Sequence, residues 1–378
     1  MAENNIERAN EMARVAIDKI NNKDFTIYFF TLDTKGNPTA GIANIYEHVK
    51  VLISLGYNAC ILQEKNDYTG VAGWLGSEYA GLPHNSIEDK NLNISSSDFL
   101  VIPEVFSNVM QQTTKFPCKR IVMCQSYNSI LEFLNIGMSW AFYGIQDVIT
   151  TSPKISDYVK SLFPNMRTWE IPVGIPEYFK SNDKPKKPII AIHTREQKDV
   201  LKIIKTFYLQ NPIYKWVTFK DMRGMPREAF AETLQDCCLS VWVDDISSFG
   251  TFPLESMKCN VPVIGKIPNI IPEWMEKNEE GKPIDVKNNG VWTNNMLHIP
   301  NLIAEFTKLW LEDNVPTEIS DGMNETNKVY TKEAEKVKIE EVYVHFFDTR
   351  IAEIEAKLVN VNKQLTIENN NNEENKEK

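Results

Sequence analysis

The chain of 378 residues contains no run of eighteen or more apolar residues, so the sequence excludes a transmembrane helix. Its N-terminal stretch is charged and amphipathic and lacks the apolar core of a signal peptide, which predicts a cytoplasmic protein. There are only six cysteines, and none forms a C-x-x-C pair or lies near a histidine at zinc-ligand spacing. We therefore expect six buried, reduced thiols.

Motifs for nucleotide and metal binding are also missing. The chain has no G-x-G-x-x-G dinucleotide loop, no Walker loop and no D-x-D pair. Basic residues are in deficit, since 41 Lys and Arg stand against 51 Asp and Glu, for a formal charge of −10. This balance argues against a nucleic-acid partner, which would need a basic face, although it leaves room for one local basic groove.

Short apolar runs alternate with helical stretches along most of the chain, a pattern typical of right-handed βαβ units and parallel sheets. A polar, proline-containing stretch at 181–188 has the composition of a linker. We therefore predict two α/β domains, residues 1–180 and 181–324, and a disordered polar tail over 361–378. The predicted strands are 25–30, 57–62, 99–102, 120–124 and 147–150, then 188–193, 215–219, 239–243 and 261–265.

Two loops at predicted strand ends are candidates for ligand binding, because parallel α/β sheets bind ligands outside the carboxyl ends of their strands. The loop 33–41 contains Gly36 and Gly41, which allow the backbone to approach a ligand closely; an ordinary turn is the alternative. In the second loop, Arg195 and Lys198 suit a diphosphate, and a solvated charged turn is the alternative.

The third loop carries more information. An apolar strand leads into Ser247–Phe252, and a helix then opens with Pro253 in its first turn. The loop offers consecutive backbone N–H groups to a ligand. Glu255 could accept hydrogen bonds from two neighbouring hydroxyls, such as a ribose diol, or could instead cap its own helix.

The segment SSFGTFPLESMKCNVPVIG at 247–265 resembles the signature E-G-F-G-L-P-x-x-E-A-M-x-x-G-x-P-V-I of family-4 glycosyltransferases. AIHTREQKD and DFLVIPEVFSNV are similar to other parts of this family and fall in the expected order, so the resemblance covers about residues 25–312. It implies the GT-B fold, in which two Rossmann-like domains face a cleft and a C-terminal helix, here 325–360, crosses back to the first domain. It also implies retaining sugar transfer from a nucleotide-sugar, with no cofactor and no metal.

The resemblance gives roles to individual positions. Arg195 and Lys198 would hold the donor diphosphate during catalysis, and Glu255 would bind the donor ribose. Glu104 and Gln125, at strand ends facing the cleft, would lie on the acceptor side. The remaining donor-binding positions would be Gly41, Ser247, Ser248, Phe249, Gly250 and Thr251.

Two positions depart from the family pattern. The first Glu of the signature, which contacts the transferred sugar, falls at Ser247, and Asp244 and Asp245 are the nearby carboxylates that could replace it. Asn260 stands where the family commonly has Gly. The sequence therefore predicts a glycosyltransferase acting on a glycan, lipid-linked or other acceptor. Two alternatives remain: a catalytically impaired sugar-nucleotide-binding or scaffold protein, and a phage-type enzyme that glycosylates modified DNA bases.

Overall fold

The structure, a computed structural model, describes residues 2–182, 184–277 and 285–374. Within these ranges the N-terminal domain is built on a seven-stranded parallel sheet of order β3-β2-β1-β4-β5-β6-β7. Its strands are β1 (Thr26–Phe30), β2 (Asn58–Gln63), β3 (His84–Ser86), β4 (Phe99–Pro103), β5 (Lys119–Cys124), β6 (Asp147–Thr150) and β7 (Arg167–Glu170). Its helices are α1 (Ala2–Asn21), α2 (Ala40–Ser54), α3 (Ser77–Ala80), α4 (Ser107–Gln112), α5 (Tyr127–Phe133) and α6 (Pro153–Leu162).

The C-terminal domain has, over the same described ranges, a five-stranded parallel sheet of order β14-β11-β10-β8-β9 and a small antiparallel pair, β12 and β13. Its strands are β8 (Lys187–Thr194), β9 (Thr218–Asp221), β10 (Cys237–Val243), β11 (Val263–Lys266), β12 (Glu276–Lys277), β13 (Asp285–Val286) and β14 (Val291–Thr293). The helices that follow are α7 (Gln197–Gln210), α8 (Arg227–Asp236), α9 (Thr251–Lys258), α10 (Ile299–Leu311), α11 (Thr317–Val329) and α12 (Lys332–Glu374).

Burial explains the strand pattern of the sequence. Every residue of β10 is buried, because this strand pairs with β8 on one side and β11 on the other. Central strands of this kind are nearly continuous apolar runs without alternation, as the sequence CCLSVWV with its single serine shows. Each of the six cysteines, all within the described ranges, is buried and free, which confirms the expectation of reduced thiols.

The chain crosses back to the first domain after α11. Ile175 N–H donates to Tyr330 O at 3.0 Å, and a Cβ on Gly174 would lie 2.5 Å from Thr331 O, so the two passes of backbone lie in direct contact. Helix α12 then packs against α1 and α2 and buries Tyr343 and Phe346 in the N-terminal core.

The predicted helix over 325–360 is therefore two helices, which part at Tyr330 and Thr331. The second of them continues to Glu374, so the backbone of 361–374 is helical and not disordered as predicted; residues 375–378 lie outside the described ranges. Once a packed segment has started a helix, each further residue adds a backbone hydrogen bond without a new nucleation cost, which explains why α12 continues into this polar stretch. Among the described helices, none combines the length and apolar character needed to cross a bilayer.

Candidate functional site

A cleft with two chambers lies where the carboxyl ends of the two parallel sheets face each other. The larger chamber has a volume of about 530 Å³ and is lined by the residues that follow β1, β4, β5, β6, β8 and β10. The smaller chamber has a volume of about 290 Å³. The two share a wall of seven residues: Thr39, Ala40, Asn44, Val173, His193, Thr251 and Phe252.

Hydrogen bonds across the cleft join the domains beside both chambers. At the larger one, Tyr127 N–H donates to Ser248 Oγ at 2.9 Å, and Asn128 Nδ2 donates to Ile246 O at 2.5 Å. At the smaller one, Arg227 N–H donates to Trp74 O at 2.8 Å. Ser248, predicted to bind a donor, thus uses its hydroxyl to hold the N-terminal domain.

The loop Ser247–Phe252 forms one wall of the larger chamber and leads into α9. Gly250 makes the turn with φ of +74°, a conformation that side chains rarely adopt. Phe249 faces inward, where its carbonyl accepts from Trp274 Nε1 at 2.6 Å. Gly250, which precedes α9, has no side chain to cap the helix. Thr251 and Phe252, which begin α9 at the shared wall, can offer their backbone N–H groups to an anion, whereas Pro253 has none.

The structure separates the two cations predicted to hold a diphosphate. Arg195 directly follows β8 and lines the larger chamber, with Nη1 3.5 Å from Asp244 Oδ2. Lys198, in contrast, is exposed on the first turn of α7 and lines neither chamber. The spacing of three residues places Lys198 on the helix, where its side chain follows the helical turn and not the end of the strand.

Asp244 and Asp245, the two aspartates just before Ser247, lie in different surroundings. Asp244 lines the larger chamber, and burial raises the pKa of its carboxyl above the ordinary value. Asp245 is 47% exposed and forms an ion pair of 2.5 Å with Lys266. Of the two carboxylates that could replace the family Glu at Ser247, only Asp244 therefore lies in the same chamber as Ser247.

Glu104 and Gln125 lie together on the N-terminal side of the larger chamber. Glu104 is 3% exposed and accepts from Ser126 N–H at 2.8 Å. The amide of Gln125 donates to Gly41 O at 3.1 Å and accepts from Asn44 Nδ2 at 3.1 Å. Gln125 thus fixes the first turn of α2, whereas burial raises the pKa of Glu104 to about 7, where the carboxyl can take or give a proton.

The raised pKa makes a prediction about stability. A carboxyl with a folded pKa of about 7 and an ordinary value of 4.5 favours the fold while it is protonated, and this contribution is lost as pH rises through 7. Glu104→Gln keeps the oxygen that accepts from Ser126 but cannot ionise. We expect its free energy of unfolding to match the wild type near pH 4 and to exceed it by about 3 kcal/mol at pH 8. Urea unfolding at both pH values measures this, and a difference independent of pH would contradict it.

The smaller chamber holds a buried ion pair. Glu255 is 2% exposed, and its Oε1 accepts from Arg227 Nη2 at 2.7 Å. The guanidinium also lies 4.9 Å from the ring centre of Phe179. The carboxylate of Glu255 on α9 thus pairs with Arg227, the first residue of α8.

Sequence reasoning missed Arg227 and His193. His193 stacks on Phe252 at 5.1 Å and lines both chambers. Burial lowers the pKa of its imidazole, and its Nδ1 has no hydrogen-bond partner among the described residues. The position of His193 near the end of a predicted strand could have identified it, whereas nothing local in PREAF marks Arg227. The described residues contain no group of three or more His, Cys, Asp or Glu placed to hold a metal ion.

No protein-family model matches the sequence, and no curated protein matches it either. Solved structures do match. Sucrose-phosphate synthase from Thermosynechococcus elongatus is 13% identical, with a TM-score of 0.61 over 86% of this chain and 99% of that one. The pneumococcal O-GlcNAc transferase GtfA, solved with UDP and GlcNAc, is 9% identical, with a TM-score of 0.62 over 87% of this chain and 99% of its own.

HepE from Anabaena, solved with UDP-glucose, gives a TM-score of 0.56 at 12% identity, over 85% of this chain and 99% of that one. The chain has the GT-B fold. This confirms the predicted fold class, with two facing α/β domains and a C-terminal crossing helix. At these identities the likeness concerns the GT-B architecture alone, and the chemistry must be argued from the residues in the cleft.

Proposed function

We propose that this GT-B protein transfers a sugar from a nucleoside diphosphate sugar to an acceptor hydroxyl, with retention and without a metal ion. The observation that carries the proposal is the order of groups along the cleft. The N-terminus of α9 lies at the wall shared by the two chambers, with Glu255 in the smaller one and Arg195, Glu104 and Asp244 in the larger one. A nucleoside in the smaller chamber would place its diphosphate on the start of α9 and Arg195, and its sugar in the larger chamber.

The leaving diphosphate is the group whose charge grows as the glycosidic bond breaks. Arg195 and the first N–H groups of α9 would stabilise this charge, which is the role that a metal plays in other transferases. The sugar would pass through an oxocarbenium-like state beside Asp244. Structures of GtfA with UDP and of HepE with UDP-glucose, both of the same architecture, support a nucleotide-sugar as the donor.

A screen of nucleotide-sugars tests the proposal. Melting temperature would be measured with UDP-, GDP-, ADP- and dTDP-sugars, with and without EDTA, because a ligand that binds the folded state raises it. We expect one base to stabilise the protein and EDTA to leave that effect unchanged. No stabilisation by any donor would contradict the proposal, and loss of binding on chelation would contradict metal independence.

The anomeric configuration of the product tests retention separately. Retention is expected if the acceptor approaches the sugar from the same side as the leaving diphosphate. An inverted product would contradict retention and would make Glu104, whose pKa is about 7, the base that activates the acceptor.

Ser247 supports a second candidate, a protein that binds sugar nucleotides without turning them over. Its hydroxyl is shorter than a Glu carboxylate and uncharged, and it lines the larger chamber where the sugar would lie. Tight binding of a donor with no turnover against a panel of acceptors would favour this candidate over the transferase.

Substitutions of Ser247 and Glu255 should have different effects on ligand affinity, because the two residues line different chambers. We expect Glu255→Gln to weaken free nucleotide and nucleotide-sugar alike, by about 10-fold or more, since it removes a charged acceptor. Ser247→Glu should leave free-nucleotide affinity nearly unchanged and alter the preference among sugars. Calorimetry on folded variants measures both affinities. If both substitutions weaken the binding of free nucleotide equally, Ser247 does not face the sugar of the donor as proposed.

A further inference from the structure

The outer face of α7, in the C-terminal domain, carries a row of basic side chains. The inner face of this helix is apolar and packs into the core of the domain. On the opposite face, lysines recur at intervals of four and three residues, which places their side chains along one side of an α-helix. These exposed lysines are Lys198, Lys202 and Lys205.

The charge of this region is opposite to that of the whole chain. The segment 197–220, which contains α7 and β9, has five lysines against one acidic residue, for a formal charge of +4, whereas the chain as a whole stands at −10. The acidic residue, Asp199, lies 3.6 Å from Lys202, and this is the one ion pair that the five lysines make with the described residues. The row of lysines therefore favours an anionic partner.

The C-terminal end of the same surface is apolar. Leu209 is 81% exposed on the last turn of α7, and Ile213 is 77% exposed just after it. Trp216 follows at 46% exposure. Tyr214 N–H donates to Asn211 O at 3.0 Å, so the chain after α7 turns tightly and keeps these side chains in one small region. A group of large apolar side chains in water marks a surface that another body covers.

The partner of this surface must meet two demands. It must present negative charge to the lysines and an apolar medium to Leu209, Ile213 and Trp216. A nucleic acid meets only the first demand, and the convex outer face of a helix offers no groove to a peptide. An anionic lipid bilayer meets both, because its headgroups attract lysines and its interface takes up leucine, isoleucine and tryptophan side chains.

We infer that the outer face of α7, together with the turn 211–216, binds the surface of an anionic lipid bilayer. The helix lies along the membrane plane, with its lysines at the headgroups and its apolar end inserted between them. Such a contact is peripheral and needs no membrane-spanning helix. It goes beyond the proposed function and does not depend on it, since lipid binding requires no donor in the cleft.

Sedimentation of the full chain with lipid vesicles tests the inference. The vesicles consist of phosphatidylcholine alone or of phosphatidylcholine with about one-third phosphatidylglycerol. We expect the wild type to bind the anionic vesicles roughly 10-fold or more tightly than the neutral ones. Raising the salt concentration from about 0.1 M to about 1 M should remove most of this preference, because salt screens exposed charges.

The lysine row is tested by the double variant Lys202→Gln, Lys205→Gln. Each lysine near an anionic surface contributes about fivefold to binding, so we expect a loss of roughly 10- to 30-fold on anionic vesicles. The double variant Lys328→Gln, Lys338→Gln is the matched control, because it removes the same two charges from exposed positions on α11 and α12. It should bind within about twofold of the wild type, since charges far from the contact are screened.

The apolar end is tested by the double variant Leu209→Ser, Ile213→Ser. We expect it to bind anionic vesicles roughly 10-fold more weakly, with the salt dependence retained. Leu131→Ser, Ile136→Ser is the control, because it removes two exposed apolar side chains from the N-terminal domain and should leave vesicle binding unchanged. The substituted side chains are exposed, so melting temperature should confirm that all four double variants fold.

Three results overturn the inference. One is a wild type that does not bind anionic vesicles. Another is a loss of binding in a control variant as large as that in its α7 counterpart, which would place the contact elsewhere or reduce it to net charge. The third is a wild-type dimer that ignores vesicles and that Leu209→Ser, Ile213→Ser converts to a monomer, which would assign the apolar end to a second copy of the chain. Donor binding in the cleft, measured separately, stands or falls without any of them.

Discussion

Gly250→Ala is expected to lower the free energy of unfolding of the C-terminal domain by about 2–4 kcal/mol. Two costs combine at this position. Its φ of +74° strains any residue with a Cβ, and that Cβ would lie 2.8 Å from Cζ2 of Trp242. Trp242 is 1% exposed and has ring neighbours in Trp274 and Trp292, at 6.0 and 6.4 Å, so it cannot move aside cheaply. Urea unfolding followed by tryptophan fluorescence measures the change.

Gly36→Ala is the matched control for this prediction. Gly36 has a similar φ of +83°, but a Cβ there would meet nothing within 4 Å. It should therefore show the backbone cost alone, about 1 kcal/mol. An equal loss in both variants would mean that Trp242 does not support the turn before α9.

Arg195→Ala should weaken ligands that carry a diphosphate by about 10- to 100-fold and leave the affinity for the nucleoside alone nearly unchanged. The reason is the place of Arg195 at the end of β8, in the chamber that also contains the start of α9. Binding of a nucleoside and its diphosphate, each titrated calorimetrically, measures the two effects. Equal weakening of both ligands would show that Arg195 does not touch phosphate.

Lys198→Ala serves as the control for the charge itself. Both substitutions remove one positive charge from the segment after β8, but Lys198 is exposed and lines neither chamber. We expect its affinity for diphosphates to stay within about twofold of the wild type, since a solvated charge is screened. A loss as large as that of Arg195→Ala would mean that Lys198 folds into the cleft when a ligand binds.

Several features could be predicted from the sequence because short stretches determine them. Uninterrupted apolar runs predict buried parallel strands, and the nine predicted strands all overlap strands of the structure. The glycine turn, the proline in the first turn of α9 and Glu255 on that helix lie within nine residues of one another. Five strands of the described structure are not predicted: β3, β7, β12, β13 and β14. Their sequences, HNS, RTWE, EK, DV and VWT, are too short or too polar to be distinguished from loops.

The tertiary structure alone decided which of the candidate residues face the cleft. Arg227 and Glu255 are 28 positions apart and meet only because α8 and α9 pack on the same sheet. Asp244 and Asp245 are neighbours in the chain, yet the turn after β10 sends one into the larger chamber and the other to Lys266. Lys198 lies outside both chambers because α7 begins at Gln197, one residue before it. A sequence thus determines hydrogen-bonding chemistry and local conformation residue by residue, but contacts between distant elements depend on packing geometry that no local pattern contains.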